Sequence, residues 1–152
     1  MALIRRATAE DSQTLLPLIA AYWDFESILG FDPPHVVPSL ERLLSTPHLG
    51  AGWIASTNKI AVGYLLAVYV FSLEHGGLTA EIDELFVLPE GRGSGVGAEL
   101  IQVAESEFIR IGCTSVSLQL SEHNDAARRF YRRFGYAERS GFELLDKNLL
   151  TL

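Results

Sequence analysis

The stretch V87-L-P-E-G-R-G-S-G-V-G-A98 places glycine at 91, 93, 95 and 97, immediately after an apolar run that ends L85-F86-V87-L88. Glycine has no Cβ and reaches positive φ at no steric cost, so successive N–H groups of such a backbone converge on one point. A helix starting behind them adds about half a positive charge at its N-terminus. The product is an anion cradle suited to phosphate, and it demands a strand before it and a helix after it. The plain alternative is a flexible turn, which does not require the amphipathic helix that begins inside the glycines.

The flanking pattern supplies both elements. L78 to L88 reads as a strand, and Val96, Leu100, Val103, Ala104, Phe108 and Ile111 recur at helical spacing up to Gly112, a natural stop. Upstream, Ala2 to Arg5 reads as a short strand, and Thr8 with Asp11 resembles a capping box ahead of a helix carrying Leu15, Leu18, Ile19, Tyr22 and Trp23. Prolines and a glycine interrupt residues 28–38, so the second helix is expected only over S39-L-E-R-L-L-S45. W53-I-A-S, the turn T57-N-K and I60 to F71 read as a hairpin. S115-V-S-L-Q-L is a further strand, N124 to F134 a helix ended by Gly135, and F142 to L150 a final strand. The expectation is a mixed α/β fold in one domain over residues 1–152.

What the cradle holds is narrowed by its neighbours. A triphosphate loop needs Lys and then Ser or Thr after the last glycine, and here Gly97 is followed by Ala98 and Glu99. A dinucleotide site is closer, because G93-S-G-V-G-A98 fits G-x-G-x-x-A and Glu122 follows the next strand. Its acid lies further on than the usual ~20 residues, and only one β-α-β unit is present where two halves are expected.

Composition excludes other classes. A chain of 152 residues with 48% hydrophobic and 20% charged residues is that of a globular protein, and the longest apolar run is broken by Gly63 and too short for a membrane span. A net charge of −7 opposes duplex nucleic-acid binding, which needs cations at phosphates. The N-terminus lacks a signal-peptide layout and Cys113 is the only cysteine, which points to a reducing cytoplasm. His35, His48, His75 and His123 show no metal spacing, so no metal is expected.

The segment from Leu85 to Gly97 resembles the acetyl-CoA loop of the GNAT superfamily of N-acetyltransferases, with Arg92, Gly95 and Gly97 filling its Gln/Arg-x-x-Gly-x-Gly/Ala pattern. N124-D-A-A127-R-R-F-Y131-R-R-F-G135-Y136 resembles the superfamily's downstream segment, one helix and one strand later. The resemblance implies a mostly antiparallel central sheet of about six or seven strands with about four helices, splayed between the fourth and fifth strands. It implies a pyrophosphate of acetyl-CoA on the backbone of Arg92, Gly93, Ser94, Gly95, Val96 and Gly97, and pantetheine along the edge at Leu85, Phe86 and Val87. Asn124 and Ala127 belong to the matched second segment, and Asn124 also suits a helix N-cap.

Acetyl transfer to an amine needs an unprotonated nucleophile, a polarised carbonyl and a proton for the departing thiolate. Tyr131 occupies the superfamily's general-acid position; the competing reading is a tyrosine packing its helix on a core. For the base, E81-I-D-E84 offers three carboxylates, and strict strand alternation sets Glu81 and Asp83 on one face and Glu84 on the other. The segment also resembles the spermidine/spermine N-acetyltransferases, which ranks Glu84 and Asp83 first and Glu81 next. Gln119 stands where ribosomal-protein acetyltransferases place a glutamate, which counts against their mechanism.

The resemblance places the acceptor against Tyr22, Trp23, Glu26 and Phe31, aromatic and acidic groups that suit a cationic amine. The same residues also suit an ordinary helix core. The expected activity is acetyl transfer to a primary amine of a polyamine-, amino-sugar- or amino-acid-like molecule, in a monomer or a homodimer, without nucleic acid or membrane. A peptide acceptor and a non-catalytic acyl-CoA-binding module are the alternatives.

Overall fold

The computed structural model describes residues 2–150. These fall into two compact units, residues 2–119 and 120–150.

The first unit holds a five-stranded sheet in the order β1 (Leu3–Arg6), β2 (Gly50–Thr57), β3 (Ile60–Ser72), β4 (Gly77–Val87) and β5 (Val116–Leu118). All neighbours are antiparallel except β4 and β5. Asn58 and Lys59 both take positive φ, which gives the two-residue β2–β3 turn the twist its strands require. Helices α1 (Ser12–Phe25) and α2 (Pro33–Ser45) cover one face, where Leu15, Ile19, Val36 and Leu40 cluster with Ile54, Tyr64, Leu66 and Phe86. Helix α3 (Val96–Arg110) covers the other, with the Phe108 ring 5.9 Å from Trp53 and 6.2 Å from Tyr69. Each fully buried aliphatic in these layers contributes about 1.5–3 kcal/mol.

The expected opening of the sheet is present. β5 pairs with β4 only from Ala80 to Ile82, and β4 runs on to Val87 without it. Helix α2 starts six residues before the expected Ser39, because Pro33 and Pro34 occupy its first turn, where no backbone N–H is needed, and the Asp32 backbone carbonyl accepts from the N–H groups of both His35 and Val36.

The second unit contains helix α4 (Asp125–Arg133). The strand expected over residues 142–150 is absent: Phe142 is 70% and Leu145 86% exposed, and neither lies in a strand. Its sequence, F-E-L-L-D-K-N-L-L, does not alternate, and its unit holds no strand among the described residues to pair with. The sheet therefore has five strands rather than six or seven.

Candidate active site

The acids of β4 are arranged by a β-bulge. Across the β3–β4 ladder Leu66 faces Glu84 and Ala67 faces Ile82, which leaves Asp83 as the extra residue. Glu84 opposes Leu66 and Glu81 opposes Val68, and these β3 residues are two apart, so Glu81 and Glu84 share the face covered by α1. Strict alternation had separated them; the inserted residue reverses the parity on one side of it.

Glu84 is half-buried and held at both oxygens. The Tyr64 hydroxyl donates to Oε1 at 2.7 Å and the Trp23 indole N–H to Oε2 at 2.9 Å. Burial pushes its carboxyl above the usual range, and the two donors pull it partly back. Asp83 makes no hydrogen bond or ion pair among the described residues. Solvent reaches it, yet protein packed around the carboxyl desolvates it enough to raise its pKa. Glu81 sits beside Gln119, whose amide donates to it at a long 3.5 Å.

Aromatic rings wall this region. Tyr22 lies edge-on to Phe86 at 5.8 Å and to Tyr64 at 6.5 Å, and Trp23 edge-on to Phe31 at 5.5 Å. Burial pushes the Tyr22 phenol up to about 12, with Glu26, Glu84 and Asp83 adding to the rise. Of the four sequence-predicted acceptor residues, Trp23 bonds Glu84, Tyr22 feels the charges of Glu84, Asp83 and Glu26, and Phe31 joins through Trp23. Tyr64 had no place in the sequence reading. Its signal was a polar-tipped ring inside the apolar run V-G-Y-L-L-A, where a buried hydroxyl must find an acceptor.

The glycine loop follows the unpaired end of β4. Gly93 and Gly95 adopt φ of +83° and +84°, and Gly95 caps α3. The first hydrogen bond of α3 runs from Glu99 N–H to the Gly95 carbonyl, so the N–H groups of Val96, Gly97 and Ala98 precede the helical ladder and have no acceptor within it. The Arg92 N–H is engaged by the Pro89 carbonyl, so the open run begins at Gly93. Ser94 Oγ donates to the Gly91 carbonyl at 3.0 Å. The Arg92 side chain donates through Nε to the Val87 carbonyl at 2.8 Å and lies over Phe86 and Phe25 at 5.4 and 5.5 Å. Leu85, Phe86 and Val87 form the end of β4 beyond its pairing with β5. This backbone fits a pyrophosphate: open donors, two left-handed glycines and nothing within 4 Å of where a Cβ would stand at either.

In the second unit, Asn124 caps α4 by accepting the Ala127 N–H at 3.1 Å. Tyr131 is 8% exposed, packed edge-on against Phe130 and Tyr136 at 5.1 and 5.5 Å. Among the described residues, no cluster of three or more His, Cys, Asp or Glu could hold a metal ion, and no helix is long and apolar enough to cross a membrane.

A loop, a split sheet and acids of this kind define an acyl-transfer fold, and comparison with known proteins agrees. Residues 15–136 match the Acetyltransferase (GNAT) family. An aminoalkylphosphonate N-acetyltransferase of Salmonella typhimurium is 30% identical over 89% of this chain and 84% of its own length. The uncharacterized N-acetyltransferase YhfO of Bacillus subtilis is 29% identical over 91% and 92%. The solved aminoglycoside N-acetyltransferase AAC(6')-Iy, a complex with CoA, superposes with a TM-score of 0.83 over 97% of this chain and 95% of its own at 21% identity, a likeness of fold. The chain belongs to the GNAT acetyltransferase family and is an N-acetyltransferase.

Proposed function

We propose that the protein transfers an acetyl group from acetyl-CoA to a primary amine of a small molecule by direct attack in a ternary complex, with residues 1–152 working as one catalytic domain. The observation that carries this reading is Asp83, an unpartnered, partly desolvated carboxylate on the bulge where β4 leaves β5. The family match spans both units in sequence, which supports treating them as one enzyme.

The N–H groups from Gly93 to Ala98 would hold the pyrophosphate, and the free end of β4 at Leu85 to Val87 would take the pantetheine by strand addition. Bound acetyl-CoA supplies the thioester that the amine attacks, the C–N bond forming as the C–S bond breaks. Asp83 takes the ammonium proton, directly or through one water; its raised pKa makes it a better base than an ordinary aspartate. Tyr131 Oη gives its proton to the departing thiolate sulfur and regains one from the nitrogen of the new amide, an assignment supported by its place in the N124 to Y136 motif. Glu84 stays a carboxylate, oriented by Tyr64 and Trp23. A single cysteine, Cys113, suits a reducing cytoplasm.

The test is a panel of amines with acetyl-CoA, following free thiol. Turnover of at least one small primary amine is expected; thioester hydrolysis without amine dependence, or turnover of peptide N-termini alone, would sink the reading.

A further inference from the structure

We propose that the Arg92 side chain is a positioning residue that ends the free edge of β4: it occupies the Val87 carbonyl and so fixes the register at which an extended acyl donor pairs with that strand. This rests on the acetyl-transfer reading above and concerns the donor side of the same site.

The pairing of β3 with β4 decides which groups the edge offers. The Leu88 N–H donates to the Val62 carbonyl at 2.8 Å, next to the facing pair Gly63 and Val87. In an antiparallel ladder this makes Gly63 and Val87 a pair without mutual hydrogen bonds, so the N–H and C=O of Val87 point away from β3. Those of Leu85, two residues earlier on the same strand, do likewise. They face the open side of the sheet, because β5 stops at Leu118 opposite Ile82. Arg92 takes one of these groups, its Nε donating to the Val87 carbonyl at 2.8 Å.

The side chain is held there although Arg92 is exposed. Its guanidinium lies over Phe86 at 5.4 Å and over Phe25, the last residue of α1, at 5.5 Å, and the two rings stand 5.8 Å from each other. The backbone leading to it is also fixed. The Gly91 N–H donates to the Leu88 carbonyl and the Arg92 N–H to the Pro89 carbonyl, and a Cβ at Gly91 would stand 3.1 Å from both Val62 and Val87. No carboxylate pairs with Arg92 among the described residues, so a carbonyl and two rings are what hold this cation.

A donor arm is left with the N–H and C=O of Leu85 and the N–H of Val87. A free Val87 carbonyl would give the arm a second way to pair, displaced by one repeat of two residues, about 6.8 Å. Misplacement by about 1 Å can already cost about a hundredfold in rate, so the displaced complex is inert. The atom that matters is Nε rather than the charge. Glutamine carries its amide nitrogen as many bonds from the backbone as arginine carries Nε, whereas lysine carries its ammonium one bond further out.

The test uses the full chain with Arg92→Met, which removes every donor, Arg92→Lys, which keeps the charge, and Arg92→Gln, which keeps an N–H at the Nε position. Calorimetry gives Kd for acetyl-CoA and for ADP, a diphosphate without the arm, and thiol release with an amine that turns over gives kcat and KM. In Arg92→Met acetyl-CoA is expected to bind about three- to tenfold more tightly, the scale of one added neutral hydrogen bond, with ADP held within about twofold. The kcat and the KM for acetyl-CoA should fall together by that same factor. Arg92→Gln should recover most of both changes, and Arg92→Lys should follow Arg92→Met. Weaker binding of acetyl-CoA and ADP together in Arg92→Met makes the side chain a staple of the loop, and rescue by Lys but not by Gln makes it a phosphate cation; either overturns the proposal, as does an unchanged kcat. If no amine releases thiol, the acetyl-transfer reading falls instead. The ratio of acetyl-CoA to ADP affinity across the three variants then still decides the edge stop.

Discussion

Trp23, near the end of α1, donates its indole N–H to Glu84 in β4 at 2.9 Å, although the two are sixty-one positions apart in the chain. The bond ties the helix that walls the proposed acceptor side to the strand that carries the acids. Trp23→Phe keeps the ring and removes the donor. It is expected to cost about 1 kcal/mol in urea unfolding, at the lower end for a bond to a half-exposed charge, and to raise the Glu84 pKa further.

Asp83→Asn removes the proposed base and leaves the bulge in place. A fall in kcat/KM for the amine of about 10²–10⁴-fold is expected, with the KM for acetyl-CoA held within about twofold. Steady-state thiol release measures both, and retention of full activity would exclude Asp83 as the base.

The acids impose opposite pH dependences. Arg5 holds Asp11 down from its ordinary 3.8 to about 2, and Arg110 holds Glu107 down from 4.5 to about 2. Their stabilisation is present above the ordinary carboxylate values and is lost as pH falls towards 2. Burial raises Asp83 and Glu84, so their contribution is present below the ordinary values and is lost as pH rises through the raised ones. Thermal melts should show Asp83→Asn more stable than the wild type at pH 7 and no more stable at pH 3, while Arg5→Ala flattens the acid limb. Activity should follow the other sign, rising with pH as Asp83 deprotonates.

Two glycines separate dihedral from steric constraint. At Gly95 a Cβ would meet nothing within 4 Å, but φ is +84°, so Gly95→Ala should cost about 1 kcal/mol and weaken acetyl-CoA binding by disturbing the cap of α3. At Gly63 a Cβ would stand 2.9 Å from the Phe86 carbonyl oxygen, so Gly63→Ala should force β3 and β4 apart. Calorimetric titration and melting would show Gly95→Ala defective mainly in binding and Gly63→Ala in stability as well.

Asn124→Ala removes the side-chain acceptor of the Ala127 N–H and should cost about 1 kcal/mol in chemical denaturation. Asn124→Asp or Ser should restore most of that loss. If the acetyl-CoA affinity falls more than the stability does, Asn124 also contacts the donor.

Much of the site was legible because its signals are local. Four glycines within seven residues announce left-handed backbone wherever they fold, and the 3.6-residue spacing from Val96 to Phe108 places a helix behind them. The order of strands and helices up to β5 followed from periodicity and turn chemistry in the same way. Residues 33–38 were misjudged because a proline reads as a breaker until its place in the first turn is known. Residues 142–150 looked strand-like through their leucines, and a strand exists only where a partner edge does.

By itself the sequence determined the glycine loop, the family and the presence of three acids ahead of the glycines, since each is a property of residues near one another in the chain. Tertiary structure alone decided what those acids are. The bulge at Asp83 is a mismatch between two paired strands, and it turns Glu81 and Glu84 to one face and leaves Asp83 unpartnered. The β3–β4 pairing brings Tyr64 to Glu84 and the packing of α1 on that face brings Trp23, because hydrogen bonds across twenty and sixty-one positions form only once the sheet and helix are assembled.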